Sequence, residues 1–392
     1  MKTMGASHLS DQIRDFISVA RKIYGSEFVP LHRPVFSDDE KNRVLQVIDS
    51  NFVSSAGKEI EVFEGAIADV TGAKYAIATV NGTAALHVAL HLAGVSAGSE
   101  VITQAVSFVA TANAISYCRA APVFIDVDRD TMGMSPEALI AFLQSNVEMR
   151  HGQAFNKGSG ARISACVPMH TFGHPARIDE IADICNSYNI ALVEDCAESL
   201  GSYAEGRHTG LAGKFATFSF NGNKIITTGG GGMIITDDEE LAQRAKHITT
   251  TSKQPHAYEY FHDEVGFNYR MPNLNAAMGL AQIEKLDDFL IKKRIVAESY
   301  REFFASSPTR FVWEREGTQA NFWLNGVILE DLEARNAFLE YTNEAGVMTR
   351  PLWQLLNRLP MYEDCETDTL TQSNYLAERL VNIPSSVPRG EL

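Results

Sequence analysis

From Lys74 onward, short β-rich apolar runs alternate with segments of helical pattern, and no other feature of the chain restricts its fold as much. This alternation marks right-handed βαβ units, which build a mostly parallel sheet with helices on both faces. Strands are expected at 75–80, 100–103, 122–126, 162–169, 191–194, 216–220 and 233–236. Helices are expected between them at 84–93, 109–117, 136–143 and 178–188, and after the last strand at 239–249. The remainder differs in texture, with longer, charge-laced helical stretches such as 283–306, then a strand-like run at 321–329 and a helix at 332–345. At 392 residues the chain has room for one large cored domain and a smaller companion. We therefore expect a large domain over 51–282, a small C-terminal domain over 283–392, and an N-terminal segment, 1–50, folded back on the small domain. The polar, glycine-bearing stretch 147–160 is expected as a surface loop.

Charge narrows the function classes. With 34 basic and 49 acidic residues the net charge is -15, which repels nucleic-acid backbones and anionic membranes, so any phosphate must be held locally. No apolar run is long enough to span a bilayer and the first residues lack a signal-peptide core, so the expectation is a cytoplasmic protein without nucleic-acid or membrane partners. Cys118, Cys166, Cys185, Cys196 and Cys365 are odd in number, scattered and free of CxxC spacing, which indicates neither a disulfide framework nor a zinc ribbon.

Three clusters carry chemistry. In Asn81-Gly82-Thr83-Ala84-Ala85 an apolar strand ends in a tight turn and a helix begins, which aims backbone N–H groups and the positive end of a helix dipole at one spot. The same residues also read as an ordinary turn with a Thr83 cap. Asp195 follows a buried parallel strand at the carboxyl edge where open α/β sheets bind ligands. There it is suited to keeping a ring nitrogen protonated, and equally to capping a helix. Lys224 follows the alternating run 215–220 and a polar turn, and is placed to reach back over the sheet edge as a nucleophile toward an aldehyde. Ser219 on that run offers a hydroxyl to a phosphate, and Gly229 to Gly232 allow close backbone approach.

Three rival motifs fail on spacing. The glycine run leads into a strand rather than out of one, unlike a dinucleotide fingerprint. No Ser or Thr follows Lys224, as a P-loop requires. Val88 stands where the His87–His91 pair would need the Glu of a zinc protease, so both histidines are read as packed on a helix face.

With Asn81-Gly82-Thr83, Asp195 and Lys224 in this order, the sequence resembles the DegT/StrS family of pyridoxal-phosphate (PLP) dependent nucleotide-sugar aminotransferases, within the aspartate-aminotransferase-like fold. The match is clear from Leu31 to Gln282 and looser beyond. The resemblance implies an α/β PLP-dependent transferase of fold type I: a large domain with a mostly parallel seven-stranded sheet covered by helices, plus a smaller α+β C-terminal domain. It implies PLP as cofactor, bonded covalently by Lys224, with its phosphate held by Gly82, Thr83, Ala84 and Ser219. Phe108 falls where an aromatic ring stacks on the pyridine, and Asp195 where a carboxylate pairs with the ring nitrogen. Glu198 takes the place, usually Gln or His, that contacts the phenolic oxygen, where a carboxylate repels a phenolate unless protonated. Gly230 stands where Glu is common.

Asn268, in the 266–271 segment, matches the residue that reaches the cofactor phosphate of a neighbouring subunit, which implies a homodimer with a shared active site. The implied reaction takes nitrogen from an amino acid, glutamate, and places it on a nucleotide-linked 4-keto-6-deoxy sugar. The 53–57 segment suggests a UDP-linked 2-acetamido sugar for surface-polysaccharide or nonulosonic-acid synthesis. The alternatives are a PLP-dependent sugar dehydratase, against which Lys224 argues because His takes that position, and an inactive member with a regulatory or scaffold role.

Overall fold

The computed structural model describes residues 2–25 and 28–389. Its main sheet has seven strands: β1 (Tyr75–Thr79), β2 (Glu100–Gln104), β3 (Ala121–Ile125), β4 (Ile163–Val167), β5 (Ala191–Asp195), β6 (Phe215–Ser219) and β7 (Gly232–Thr236). Their spatial order is β1-β7-β6-β5-β4-β2-β3. All neighbours are parallel except β7, which runs antiparallel to both β1 and β6. Strands β2, β4 and β7 are buried along their whole length, as expected of strands covered on both faces. The α/β, mostly parallel sheet is thus the one that the alternation predicted.

The topology decides where a ligand can sit. Because β7 alone is reversed, the carboxyl ends of β1, β6 and β5 open on the same edge of the sheet as the amino end of β7. The turn at Asn81, the start of β7, Ser219 and Asp195 therefore lie side by side, one strand spacing of about 4.8 Å after another. Helix starts are set by local chemistry: Asn81, Ser135, Asp238 and Asp331 each accept a backbone N–H from their own first turn.

Beyond helix Asn273–Ile283 a second helix, Leu286–Phe304, leads into an antiparallel sheet of β8 (Arg310–Phe311), β9 (Asn325–Ile328), β10 (Arg350–Pro351) and β11 (Leu380–Ile383), in the order β8-β9-β11-β10. The N-terminal segment divides between the two sheets' surroundings. Helix Lys2–Tyr24 packs on this smaller sheet's core, where Ile13, Phe16 and Ala20 meet Tyr300, Phe304 and Phe338. Helix Asp38–Ser50 instead lies on Asn273–Ile283, held by Glu40 with Gln282 and Lys285. The stretch expected as a loop at 147–160 contains a hairpin, Val147–Arg150 paired with Gln153–Asn156. Its turn uses positive φ at His151 and Gly152, and inward-facing Val147 and Ala154 supply the apolar side that the polar composition masked.

Candidate active site

At the β1 turn, Asn81 rather than Thr83 is the helix cap, its Oδ1 accepting the Ala84 N–H at 2.7 Å. Ala84, expected as a third donor to a ligand, therefore has its N–H occupied. The N–H groups of Gly82 and Thr83 have no acceptor among the described residues and point off the positive end of the helix. Two glycines make the cradle. A Cβ on Gly82 would come within 2.9 Å of the Ser219 Cβ, and one on Gly232 would sit 2.5 Å from the Asn81 carbonyl carbon and oxygen. The Ser219 side chain thus stands beside the two N–H groups, accepting among the described residues only a long contact from the Asn221 N–H.

Adjacent acids at the end of β5 face opposite sides of the sheet. Asp195 is buried, with Oδ2 accepting the Thr111 hydroxyl at 2.7 Å and Oδ1 the Ala197 N–H at 3.1 Å. Burial pushes its carboxyl above the ordinary range, against the pull of those hydrogen bonds and of the Lys224 charge. Glu194 accepts from His170 at 3.0 Å and from the backbone N–H groups of Gly210, Ala212 and Gly213 at 2.7–2.8 Å. Burial acts to raise this acid too, but the His170 bond and the backbone donors outweigh it and hold the carboxyl below its ordinary value. His170 Nδ1 accepts the Ala176 N–H at 3.1 Å, so Nε2 carries the proton directed at Glu194.

Lys224 meets a setting that sequence reasoning only partly anticipated. Its Nζ lies 3.2 Å from Glu198 Oε1 and 4.0 Å from the centre of the Trp323 ring. Glu198 Oε2 accepts the Phe172 N–H at 2.8 Å, an orientation that the left-handed φ of 57° at Phe172 makes available. Burial pushes the Glu198 carboxyl up to about 7, with the Lys224 charge acting the other way. Trp323 lies just before β9 of the smaller sheet and is fixed by Nε1–H to the Asn223 carbonyl at 2.6 Å. Asn321, two residues before it, donates to the carbonyls of Glu198 and Leu200 at 2.8 and 2.9 Å. No motif marks Trp323, which falls in the run 321–329 read from the sequence only as strand-like.

Phe108 is 51% exposed, and its ring lies 6.1 Å from Trp353, which in turn packs 4.8 Å from Phe172. The structure thus brings Gly82, Thr83, Ser219, Asp195, Glu198 and Lys224 to one sheet edge, with Phe108 at the end of an aromatic row that reaches it. Asn268 stands apart: its backbone bridges to Thr250 and its side chain is exposed. His87 packs among Tyr117, Phe267 and Tyr269, as its helix-face reading predicted. The 52–58 loop is tied down by Asn273, which donates to the Phe52 carbonyl and accepts the Glu59 N–H.

An amine, a buried carboxylate and two backbone donors beside a hydroxyl are the complement of a flat ring bearing an aldehyde, a basic ring nitrogen and a phosphate. PLP fits this donor set. The comparisons with known proteins agree. The sequence profile of the DegT/DnrJ/EryC1/StrS aminotransferase family matches residues 34–388. A GDP-perosamine synthase of Escherichia coli O157:H7 is 35% identical over 92% of this chain and 93% of its own. A protein of Bacillus subtilis described as the putative pyridoxal phosphate-dependent aminotransferase EpsN is 35% identical, covering 93% and 91%. Among solved structures, the aminotransferase TlmJ of Streptoalloteichus hindustanus superposes with a TM-score of 0.83 at 26% identity, covering 91% of this chain and 93% of that one.

Proposed function

The chain belongs to the DegT/DnrJ/EryC1/StrS aminotransferase family, and from that premise we propose that it moves an amino group from glutamate onto a nucleotide-linked 4-keto-6-deoxy sugar. PLP, its cofactor, supplies when bound an electron sink for the carbon that loses or gains a proton. Lys224 Nζ would hold the cofactor through its aldehyde carbon, and the same amine, when free, would take the proton from the donor's α-carbon as general base and return one as general acid in the sugar half. Asp195 would keep the ring nitrogen protonated, since opposite charges in a poorly solvated pocket keep each other ionised. The Gly82 and Thr83 N–H groups and the Ser219 hydroxyl hold the phosphate at the helix terminus. Phe108 covers the ring. Asn268, exposed and outside this chain's own cluster, reaches the phosphate of a second copy, which makes the working unit a homodimer.

The observation that carries this reading is the placement of the Lys224 amine, against Glu198 and the Trp323 ring, on the same sheet edge as Asp195 and the Gly82 turn. Relatives named GDP-perosamine synthase from Escherichia coli O157:H7, Vibrio cholerae and Caulobacter vibrioides favour GDP as the nucleotide over the UDP-linked 2-acetamido sugar expected from the 53–57 segment. An amino sugar of this kind is consumed in surface-polysaccharide synthesis. No helix among the described residues is long and apolar enough to cross a membrane.

The test loads purified protein with PLP, adds glutamate, and then offers a panel of GDP- and UDP-linked 3-keto and 4-keto sugars. Absorbance near the visible edge should shift with glutamate, and mass spectrometry should find the amino sugar from a GDP-linked 4-keto substrate. A borohydride-trapped cofactor adduct that persists in Lys224→Ala would refute the assignment of the lysine.

A further inference from the structure

Lys224 and Glu198 lie 3.2 Å apart with side chains only 12% and 1% exposed. Few groups face them. Asp195 acts on Glu198 through its charge and feels that of Lys224; His32, its ring 6.4 Å from that of Trp323, feels Lys224 and Lys293. Glu198 Oε2 is engaged by the Phe172 N–H, which leaves Oε1 to the lysine. A protonated amine has no lone pair for a carbonyl carbon, so a base must first remove the proton, and in this enclosed place the base in reach is Glu198 Oε1.

Resting on the reading of Lys224 as the residue that bonds the cofactor, we infer that Glu198 is the internal base that takes the proton from the Lys224 amine before it attacks. In the transfer the Nζ–H bond breaks, its electron pair stays on nitrogen, and an Oε1–H bond forms. The two charges cancel, so no ion is stranded in the pocket and no further reactant is needed. The direction of the Glu198 titration agrees: burial pushes it up to about 7, where the neutral acid is reached without a large penalty. A neutral Glu198 also removes the repulsion expected between a carboxylate at this position and a phenolate, because it can donate a hydrogen bond instead.

The test uses the full chain freed of cofactor. PLP is added at a series of pH values from about 5.5 to about 9.5, the adduct is trapped with borohydride at intervals, and peptide mass spectrometry locates it. In the wild-type protein the rate of adduct formation at Lys224 should rise through about pH 7 and then hold a plateau. Glu198→Gln should lose the plateau, show a single rise at more alkaline pH, and be slower by roughly a hundredfold near neutrality. Glu198→Asp keeps a titrating acid and should keep the plateau at a reduced rate, so a folded Asp variant without a plateau also refutes the idea. Wild-type and Gln profiles that run parallel, offset by a constant factor, would overturn the inference and leave Glu198 a positioning residue. An adduct on some other lysine would remove the assignment of Lys224, and the inference with it.

Discussion

Two neighbouring acids, Glu194 and Asp195, should respond in opposite ways to the same isosteric change. Glu194 accepts four hydrogen bonds, two on each oxygen: His170 and Gly210 on Oε2, Ala212 and Gly213 on Oε1. Glu194→Gln turns one of those oxygens into an NH2 group, so in either orientation two donors face a donor. A shift of the His170 proton brings no relief, since Nδ1 already accepts from Ala176. At about 1.5–3 kcal/mol for each hydrogen bond to a charged group, the loss is about 3–6 kcal/mol, against a typical total stability of about 5–15 kcal/mol. Urea denaturation of the cofactor-free protein should show this as a lower midpoint, while the absorbance band of the surviving PLP-loaded protein stays in place. Asp195→Asn should do the reverse. Burial already disfavours the Asp195 charge, so the cofactor-free protein should be at least as stable as wild type. Its aminotransferase rate should fall by roughly a thousandfold, because the ring nitrogen loses its partner. A Glu194→Gln protein as stable as wild type, or one whose absorbance moves more than that of Asp195→Asn, would refute the argument from strand alternation.

The phosphate cradle and the acid limb of stability give two further expectations. Gly232→Ala places a methyl 2.5 Å from the Asn81 backbone and should cost about 1–3 kcal/mol while weakening PLP retention in equilibrium dialysis. Gly230→Ala, with nothing within 4 Å of its Cβ, is the control that should change neither. His174 and His208 are both pushed down to about 4 by burial. The folded state therefore binds fewer protons than the unfolded one between about pH 4 and 6.5, and stability should fall as pH drops through that window by up to about 3 kcal/mol for each histidine. Above about pH 6.5 these two groups contribute no pH dependence, so thermal melts should show a flat region and then a decline, shallower in His174→Leu.

The sheet was legible because each strand is a short apolar run between helix-patterned segments, a period change that survives without an alignment. Helix Glu239–Thr249 ends where its pattern ends, and Val109–Tyr117 likewise. The site was legible to the extent that chemistry sits at strand ends: Asp195 closes β5 and Ser219 closes β6, so topology alone brings them together. The division of the N-terminal segment was not legible, because the capping box at Ser37 and Glu40 announces a helix without saying which surface that helix will cover. Glu194 was passed over for a similar reason. Its neighbour carries the recognisable role, and the donors that make Glu194 a rivet come from Gly210 to Gly213 and His170, distant in sequence and without a side-chain signature.

The same limit applies to the chain beyond Gln282. Every site residue read from the sequence lies between Gly82 and Asn268, yet the ring against the Lys224 amine belongs to Trp323. That ring is placed by three independent attachments: Nε1–H on the Asn223 carbonyl, the backbone N–H on Asn321 Oδ1, and Lys293 donating to the Trp323 carbonyl at 3.1 Å. Asn321 simultaneously donates to Glu198 and Leu200, so the loop that carries the tryptophan also holds the loop that carries the glutamate. The segment before β9 thus sets the apolar side of the lysine's surroundings and the position of its acidic partner together. Displacing the Asn321 loop disturbs both at once, and for that reason the junction around Asn321 belongs to the chemistry of the site rather than to its scaffolding.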